Sequence, residues 1–188
     1  MLLFDSVGPS NSAATMKLAL AKARELDTDI VISSGSGATA LQLLELAEAE
    51  HFHGKIVVVR SCSTAASHGV NKMSSEVKAS LIARGASVVT AAHALSAGER
   101  SVSGSFKGQY PLEIMAAALR MFGQGTKVAV EISVMALDAD EIPYGKAVVA
   151  MGGSSHGVDT AAVITPSYSS TILQTRVHEI LCKPGMWE

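Results

Sequence analysis

The sequence predicts a three-layer α/β/α domain built on a mostly parallel β-sheet. Short runs rich in Val and Ile alternate along the chain with longer helical patterns. These runs are almost continuously apolar, as expected for strands covered on both faces. Strands with one face exposed to solvent would instead alternate apolar and polar residues. Strands separated by helices in this order form βαβ crossovers, which make the strands parallel. A length of 188 residues fits one domain, and we expect it to span residues 1–188.

The first half of the chain shows the alternation most clearly. Strands are predicted at the segments LLFD, DIVIS, GKIVVVR and ASVVTA. The helices between them are predicted at SNSAATMKLALAKARELD, TALQLLELAEAE and MSSEVKASLIARG. Ser10 or Asn11 suits the N-cap of the first helix, and Ser74 or Ser75 suits that of the third. Gly85 lies where a helix-terminating glycine is expected.

The second half departs from this pattern. Residues 93–111, HALSAGERSVSGSFKGQYP, have no clean period and are predicted as a long loop, which in a compact domain usually has a function. A helix is predicted at PLEIMAAALRMFG, with Pro111 in its first turn. The segments TKVAVEISVMALDADEIP, KAVVAMGG, TAAVITP and RVHEILCKP then resemble strands with little helix between some of them. We therefore expect the strands near the C-terminus of the chain to form a mixed or antiparallel edge of the sheet.

Composition and charge exclude several classes of protein. The chain is 48% hydrophobic and 17% charged, with a mean hydropathy of +0.30, which is typical of globular proteins. Its formal net charge is −2 and the sequence has no basic stretch, which argues against binding to nucleic acid. No apolar stretch approaches the roughly 18 residues that span a bilayer, and the N-terminal segment has no basic region. We expect neither a signal peptide nor a membrane anchor.

The two cysteines point to a reducing compartment. Cys62 and Cys182 lie far apart and form no CxxC pair. They are expected to be reduced thiols of a cytoplasmic protein, each buried as a small hydrophobic residue.

A Ser/Gly-rich loop, SSGSGAT, joins the second strand to the second helix. Loops of this kind hold anions on backbone N–H groups, and the helix N-terminus adds partial positive charge. A Walker A loop is excluded because no Lys follows Gly37. Gly35, Gly37 and Ala40 match a GxGxxA dinucleotide pattern, and Arg60 would suit a 2′-phosphate, but that pattern normally belongs to the first βα unit. The residues alone leave a phosphate cradle and a plain turn equally open.

Glu131 interrupts the apolar segment VAVEIS, which we interpret as a strand. A carboxylate in such a place lies either at the carboxyl end of the strand, where parallel sheets bind ligands, or is buried with a partner. A buried carboxylate without a partner would cost several kcal/mol, so a partner is required, and Arg100 is a natural one.

A second Gly/Ser-rich turn, GGSSHGVD, follows a later strand. Gly152 and Gly153 permit a close backbone approach, and Asp159 is placed either to cap the turn or to accept from a ligand hydroxyl. Polar groups between them come from Ser154, Ser155 and His156. No helical run follows, so this turn is predicted to join neighbouring strands, with a plain turn as the alternative interpretation.

No metal site and no catalytic set is recognisable. His51 and His53 lack a third ligand at suitable spacing, and there is no GxSxG elbow or Ser/His/Asp set. His93 opens the long loop, and either it or Glu131 would be the general base if the protein is an enzyme. Catalytic residues are otherwise unknown from the sequence.

Five blocks together resemble a known family. In order, they are VISSGSGATALQLLELAE, AHALSAGERSVS, VAVEISVMALDADEIP, VVAMGGSSHGVDTAAVI and EILCKP. Over essentially the whole chain, they resemble the small stand-alone prokaryotic proteins related to the C-terminal α/β domain of pyruvate kinase. In pyruvate kinase, that domain carries the allosteric sugar-phosphate site, where a Ser/Thr-Gly loop before a helix grips a phosphate. The stand-alone relatives are associated with bound flavin mononucleotide (FMN).

The resemblance implies a protein that binds a phosphorylated small molecule, with FMN as the first candidate. The phosphate would be held by Ser33, Ser34, Gly35, Gly37 and Thr39. Glu131 would accept hydrogen bonds from ribityl hydroxyls or a ring N–H, and Arg100 would close over the ligand or neutralise Glu131. The opposite wall would consist of Gly152, Gly153, Ser155 and Asp159.

The resemblance also limits the expected activity. The pyruvate kinase barrel, with its metal and phosphoenolpyruvate ligands, has no room in 188 residues, so pyruvate kinase activity is not expected. Two alternatives stay open: an enzyme acting on a phosphorylated or nucleotide substrate, and a regulatory or assembly module without catalysis. Self-association is compatible with the resemblance, because relatives of this domain lie at subunit interfaces.

Overall fold

The computed structural model describes residues 1–64 and 67–186. Its strands are β1 (Leu2–Phe4), β2 (Ile30–Ser33), β3 (Ile56–Ser61), β4 (Ser87–Ala91), β5 (Val148–Gly152), β6 (Thr160–Thr165) and β7 (Arg176–Pro184). Its α-helices are α1 (Ser12–Glu25), α2 (Ala38–Ala49), α3 (Ser75–Ala83), α4 (Ala97–Phe106), α5 (Pro111–Arg120) and α6 (Gln124–Asp138). Short 3-10 helices occupy Pro9–Asn11 and Ser169–Gln174.

The strands form one sheet in the order β1-β7-β6-β5-β2-β3-β4. Strands β2 to β5 are mutually parallel, β6 is antiparallel to both β5 and β7, and β1 pairs parallel with β7. The predicted α/β class with a mostly parallel sheet is therefore confirmed. The expected antiparallel pairing is present, but it lies inside the C-terminal half of the sheet, because β1 forms the edge beyond β7.

Helices cover both faces of the sheet. On one face, Ile30 and Ile32 pack against α1, α2 and α3 in a single apolar cluster. On the other face, the intervening Val31 packs with Ala150 against α6. Helix α5 packs on α6 from outside through a smaller cluster that includes Ala116 and Val134. Because neighbouring residues of a strand point to opposite faces, continuously apolar strands produce two cores rather than one.

The order in which successive strands are added to the sheet reverses between β2 and β5. From β2, the connections through α2 and α3 lead to β3 and β4 along one face. From β4, the connection through α4, α5 and α6 crosses the other face and returns to β5, on the far side of β2. In open α/β sheets such a reversal leaves a crevice at the carboxyl ends of the strands, where ligands bind.

Helix α6 corrects the interpretation of the Glu131 segment as a strand. Residues 124–138 form a helix that is almost wholly buried, from Gly125 to Leu137 apart from Val128. A helix enclosed between a sheet and a second helix needs no polar face. Its sequence therefore lacks the helical period, and the run of Val and Ile imitates a strand.

The predicted long loop is also partly wrong, because residues 97–106 form helix α4. None of its residues is buried, and its Gly and Ser content is unfavourable for a helix. Contacts with α5 support it: the carboxylate of Glu99 accepts from the Glu113 N–H at 2.9 Å, and Ser103 Oγ donates to the Glu113 carboxylate at 2.8 Å. These tertiary contacts explain why local sequence did not reveal the helix.

The helix boundaries follow the expected signals in three places. Ser74 caps α3, its hydroxyl accepting from Val77 N–H at 3.3 Å, and Gly85 follows that helix with a φ of +88°. Pro111 begins α5. Both cysteines are free thiols, but only Cys182 is buried, whereas Cys62 is partly exposed.

Candidate functional site

A cleft of about 360 Å³ lies at the carboxyl ends of β2 and β3, between the β2–α2 loop and the β5–β6 turn. Its volume falls in the range of small-molecule sites. The loops and strand ends supply Ser33, Ser34, Gly35, Ser36, Thr39, Val59, Arg60, Ser61, Lys72 and His93. Helix α6 and the β5–β6 turn supply Gln124, Val128, Glu131, Ile132, Met135, Gly153, Ser154, Ser155, His156 and Gly157. The cleft thus coincides with the reversal of chain direction at β2 and β5.

The β2–α2 loop, which contributes to the lining of this cleft, contains several backbone N–H groups that form no hydrogen bond among the described residues. Ser34 Oγ accepts from the Ala40 N–H at 3.3 Å, which satisfies one of the free N–H groups at the start of α2. Within the described part of the chain, no acceptor meets the N–H groups of Gly35, Ser36, Gly37 and Thr39. A helix N-terminus with several free N–H groups is a general anion-binding feature.

Gly37 shapes this loop without lining the cleft. Its φ is +94°, in the left-handed region that favours glycine, and a Cβ there would collide with the Val77 side chain of α3. The residue therefore lets the chain turn into α2 while α3 packs closely against the turn.

Two cations line the cleft without a carboxylate partner in the described residues. Arg60 follows the apolar part of β3, and its guanidinium donates from Nε to Thr90 Oγ1 at 2.6 Å and from Nη1 to the Met73 carbonyl at 3.2 Å. Both acceptors are neutral, so the positive charge of Arg60 stays uncompensated. Lys72 is exposed in the segment before α3 and forms no ion pair within the described chain.

Glu131, the only carboxylate among the described residues that line the cleft, is already paired. It is 1% exposed, and its Oε2 accepts from Lys127 Nζ at 2.5 Å, one turn earlier on α6. The same oxygen lies 3.2 Å from His93 Nδ1, and Oε1 accepts from the Leu95 N–H at 3.0 Å. Burial alone would raise the pKa of Glu131, but the hydrogen bonds and charges of His93 and Lys127 outweigh it and lower that pKa from 4.5 to about 2. The carboxylate is therefore ionised and compensated within the protein.

This pairing corrects the role expected for Arg100. Lys127, not Arg100, neutralises Glu131, and His93 adds a hydrogen bond to the same carboxylate oxygen. Arg100 lies on α4 in a separate depression, beside Glu113 and Arg120. Because three donors already surround the buried carboxylate, Glu131 is arranged to hold protein groups rather than to accept from a ribityl hydroxyl.

His93 connects this buried ion pair to the cleft. Its side chain is 43% exposed, and one ring nitrogen faces Glu131. An ionised carboxylate only accepts hydrogen bonds, so Nδ1 is the donor. The other ring nitrogen, Nε2, has no partner in the described part of the chain.

Asp159 accepts a hydrogen bond from the β5–β6 turn and does not line the cleft. It is fully buried, and its carboxylate accepts from the N–H groups of Gly8 at 3.1 Å and Ser154 at 3.3 Å, and from Thr160 Oγ1 at 3.0 Å. The alternative of capping the turn is therefore the one that the geometry supports.

Gly152 likewise lies outside the cleft. It is a buried residue of β5, and a Cβ there would collide with the Gly125 carbonyl and lie 2.9 Å from the Ala129 nitrogen. The glycine thus permits close packing of α6 on the sheet. The expected close approach of a ligand is not its function in this arrangement.

Seven of the eleven residues expected to bind a ligand share this cleft: Ser33, Ser34, Gly35, Thr39, Glu131, Gly153 and Ser155. The other four, Gly37, Arg100, Gly152 and Asp159, do not line it. Sequence reasoning missed Lys72 and Lys127, and it considered Arg60 only for a dinucleotide. The signal for Arg60 was its place at the end of a strand, whereas the i, i+4 pairing of Lys127 with Glu131 is visible only once α6 is known to be a helix.

Among residues 1–64 and 67–186, no group of three or more His, Cys, Asp or Glu side chains is arranged to hold a metal ion. The helices described there are all too short or too polar to cross a membrane. A scan of the sequence against models of known protein families gives no match.

Proposed function

We propose that the protein binds a phosphorylated small molecule in this cleft, with FMN as the first candidate. The observation that carries the proposal is the cluster of free backbone N–H groups at the start of α2, in the same cleft as Arg60 and Lys72. Glu131 does not oppose an anion there, because its charge is compensated by Lys127. Free N–H groups, a helix N-terminus and uncompensated cations together favour a dianionic phosphate.

The rest of the cleft suits the organic part of such a ligand. Helix α6 presents Val128, Ile132 and Met135, which form an apolar wall against which a ring system can pack. The β5–β6 turn adds Ser154 and Ser155 to the lining. A phosphate at one end, hydroxyl-binding groups and an apolar wall are the features that FMN would use.

We further propose that the fold is that of the C-terminal domain of pyruvate kinase and that the chain belongs with its stand-alone relatives. Two of the resembling blocks support this. VISSGSGATALQLLELAE forms β2, the anion-binding loop and α2, and VVAMGGSSHGVDTAAVI forms β5, the turn and β6 across the cleft. A cytoplasmic location remains a prediction from the two cysteines, and self-association remains a prediction of the resemblance. Pyruvate kinase activity is not part of the proposal.

The first experiment is a visible absorbance spectrum of the freshly purified protein, with mass spectrometry of whatever denaturation releases. A flavin spectrum and the mass of FMN would support the proposal in full. A colourless protein that releases another phosphorylated metabolite would keep the phosphate site and discard the flavin. If nothing is released and phosphorylated compounds do not raise the melting temperature, the proposal fails.

The second experiment locates the phosphate by comparing FMN with riboflavin, which lacks it. In K72A, we expect the affinity for FMN to fall about tenfold, equivalent to ~1.4 kcal/mol, because one charge-assisted contact is lost at an exposed position. The affinity for riboflavin should not change. The matched control is K17A, because Lys17 is an exposed lysine of α1 outside the cleft. Equal weakening of both ligands in K72A would contradict the placement of the phosphate.

A further inference from the structure

We propose that the cleft and a neighbouring depression form one binding site for a dinucleotide, whose pyrophosphate lies at the β2–α2 loop and Arg60 and whose adenosine half fills the depression. The inference deepens the proposed function and rests on it, because it names the class of phosphorylated ligand that the same loop would hold. FMN would then be one half of the ligand, and flavin adenine dinucleotide (FAD) would be the whole.

The depression lies at the carboxyl end of β3, beside α3, and has a volume of about 810 Å³. This volume is on the scale of small-molecule sites. Its lining includes the apolar side chains of Val70 and Ile82, which are 70% and 52% exposed, and the polar residues Ser63 and Ser75. An adenine ring would cover exposed apolar surface of this kind, and the polar residues suit a ribose.

Arg60 stands at the junction of the two cavities, because it belongs to the lining of both. Its guanidinium donates to Thr90 Oγ1 and to the Met73 carbonyl, and its other N–H donors have no partner among the described residues. The remaining charged residues in the described lining of the depression are Glu76 and Lys78, whose charges are opposite. The junction therefore suits the negative charge of a pyrophosphate, and the depression beyond it suits an uncharged nucleoside.

The β2–α2 loop is close both to Arg60 and to the depression. The Ser34 N–H donates to the Val59 carbonyl at 3.0 Å, so the loop and Arg60, which follows Val59 on β3, leave the sheet side by side. Farther along the loop, a Cβ at Gly37 would lie 3.5 Å from Met73 Cε, and Met73 lines the depression. A pyrophosphate held by the loop therefore lies next to the junction, from which a second nucleotide enters the depression.

The sheet topology places the two cavities in the order that a dinucleotide requires. In doubly wound sheets the pyrophosphate binds at the helix after the strand at the reversal, and the adenosine ribose meets a residue at the end of the next strand. Here β2 borders β5 at the reversal and pairs with β3 on its other side, and Arg60 lies near the end of β3. The GxGxxA pattern of Gly35, Gly37 and Ala40 thus follows the strand at the reversal, although β2 is the second strand of the chain. A Cβ at Gly35 would meet no atom within 4 Å, which leaves its backbone open to a phosphate.

The test compares the affinity for FMN with that for FAD, which adds only the adenosine monophosphate half. We expect the wild type to bind FAD about tenfold more tightly, equivalent to ~1.4 kcal/mol. I82D places a carboxylate in the depression and should remove this advantage without changing the affinity for FMN. The matched control is S80D, because Ser80 is an exposed residue of α3 that lines neither cavity and receives the same charge. Equal affinities of the wild type for FMN and FAD, or equal effects of I82D and S80D, would overturn the inference.

Adenosine diphosphate (ADP) gives a test that does not depend on the flavin, because it carries only the adenosine half and the pyrophosphate. By calorimetry, the wild type and S80D should bind ADP, and I82D should bind it about tenfold more weakly. If neither flavin binds but ADP behaves in this way, the flavin is wrong and the adenosine site stands. If FMN binds while FAD gains nothing and I82D behaves like S80D, the proposed function stands and the inference is refuted. If none of the three compounds binds, both fail.

Discussion

The ion pair in the core predicts a specific loss of stability in acid. Glu131 has a pKa of about 2 in the folded protein, whereas the pKa of an unperturbed glutamate side chain is 4.5. Because the folded pKa is the lower one, the pair stabilises the fold fully above the unfolded value, and this contribution is lost as the pH falls from about 4.5 to about 2. The perturbation that isolates the effect is K127M/E131L, which replaces both charges by apolar side chains of similar size.

The expected magnitude follows from the difference between the two pKa values. A shift from 4.5 to about 2, at 1.36 kcal/mol per pKa unit, corresponds to about 3 kcal/mol of stability above pH 5. On the same basis, about 2 kcal/mol of this is lost between pH 5 and pH 3. That is a large fraction of the stability of an ordinary domain. The double variant has no such term, so its stability should depend much less on pH over this interval.

Urea denaturation at a series of pH values measures this difference. The free energy of unfolding of the wild type should fall by about 2 kcal/mol more than that of K127M/E131L between pH 5 and pH 3. The control is E48Q. The pKa of Glu48 is also lowered, by its hydrogen bond to Arg84, but its side chain is 60% exposed and the ion pair is solvated. This variant should follow the wild type closely. If the curves of the wild type and the double variant ran parallel, the pairing of Glu131 would not be what keeps it ionised.

Three further predictions concern packing, capping and thiol reactivity. In G152A the added Cβ collides with the backbone of α6, so we expect a loss of about 1–3 kcal/mol in thermal or urea unfolding, whereas G98A, in a helix with open space around it, should be neutral or slightly stabilising. S74A should lose about 1 kcal/mol because it removes the N-cap of α3, and S75A should not. The Cys182 thiol is buried, and burial raises its pKa, so a thiol reagent should modify it only on unfolding.

Most of the sheet was predictable because its strands carry a strong local signal. Runs such as DIVIS and GKIVVVR are rich in branched residues and are bounded by polar turns, and they form β2 and β3. Pro111 and Ser74 mark helix starts through backbone chemistry that does not depend on the rest of the fold. Helices α4 and α6 were not predicted from the sequence, and the reasons are opposite. The first is stabilised mainly by contacts with α5, and the second is buried so completely that its sequence carries no period.

The candidate site was predictable to the extent that it follows from topology. Ser and Gly residues directly after two predicted strands indicated two loops at one edge of a parallel sheet, and the β2–α2 loop and β5–β6 turn do share a cleft. The glycines were harder to interpret, because Gly37 and Gly152 serve close packing rather than ligand approach. Lys72 lies in a segment without regular structure, so nothing local indicated that it would face the same cleft.

The change of Glu131 from a strand end to a helix alters its chemistry. At the carboxyl end of a strand, Glu131 would face a ligand with its negative charge uncompensated, and it would repel a phosphate. On α6 it is compensated by Lys127 and bound to His93 before any ligand arrives, so the cleft contains a carboxylate and is still suited to an anion. Helix α2 and helix α6 lie on opposite faces of the sheet, and the reversal at β2 and β5 brings them together at one crevice. A single ligand that spans this crevice would have its phosphate at α2 and another part beside His93.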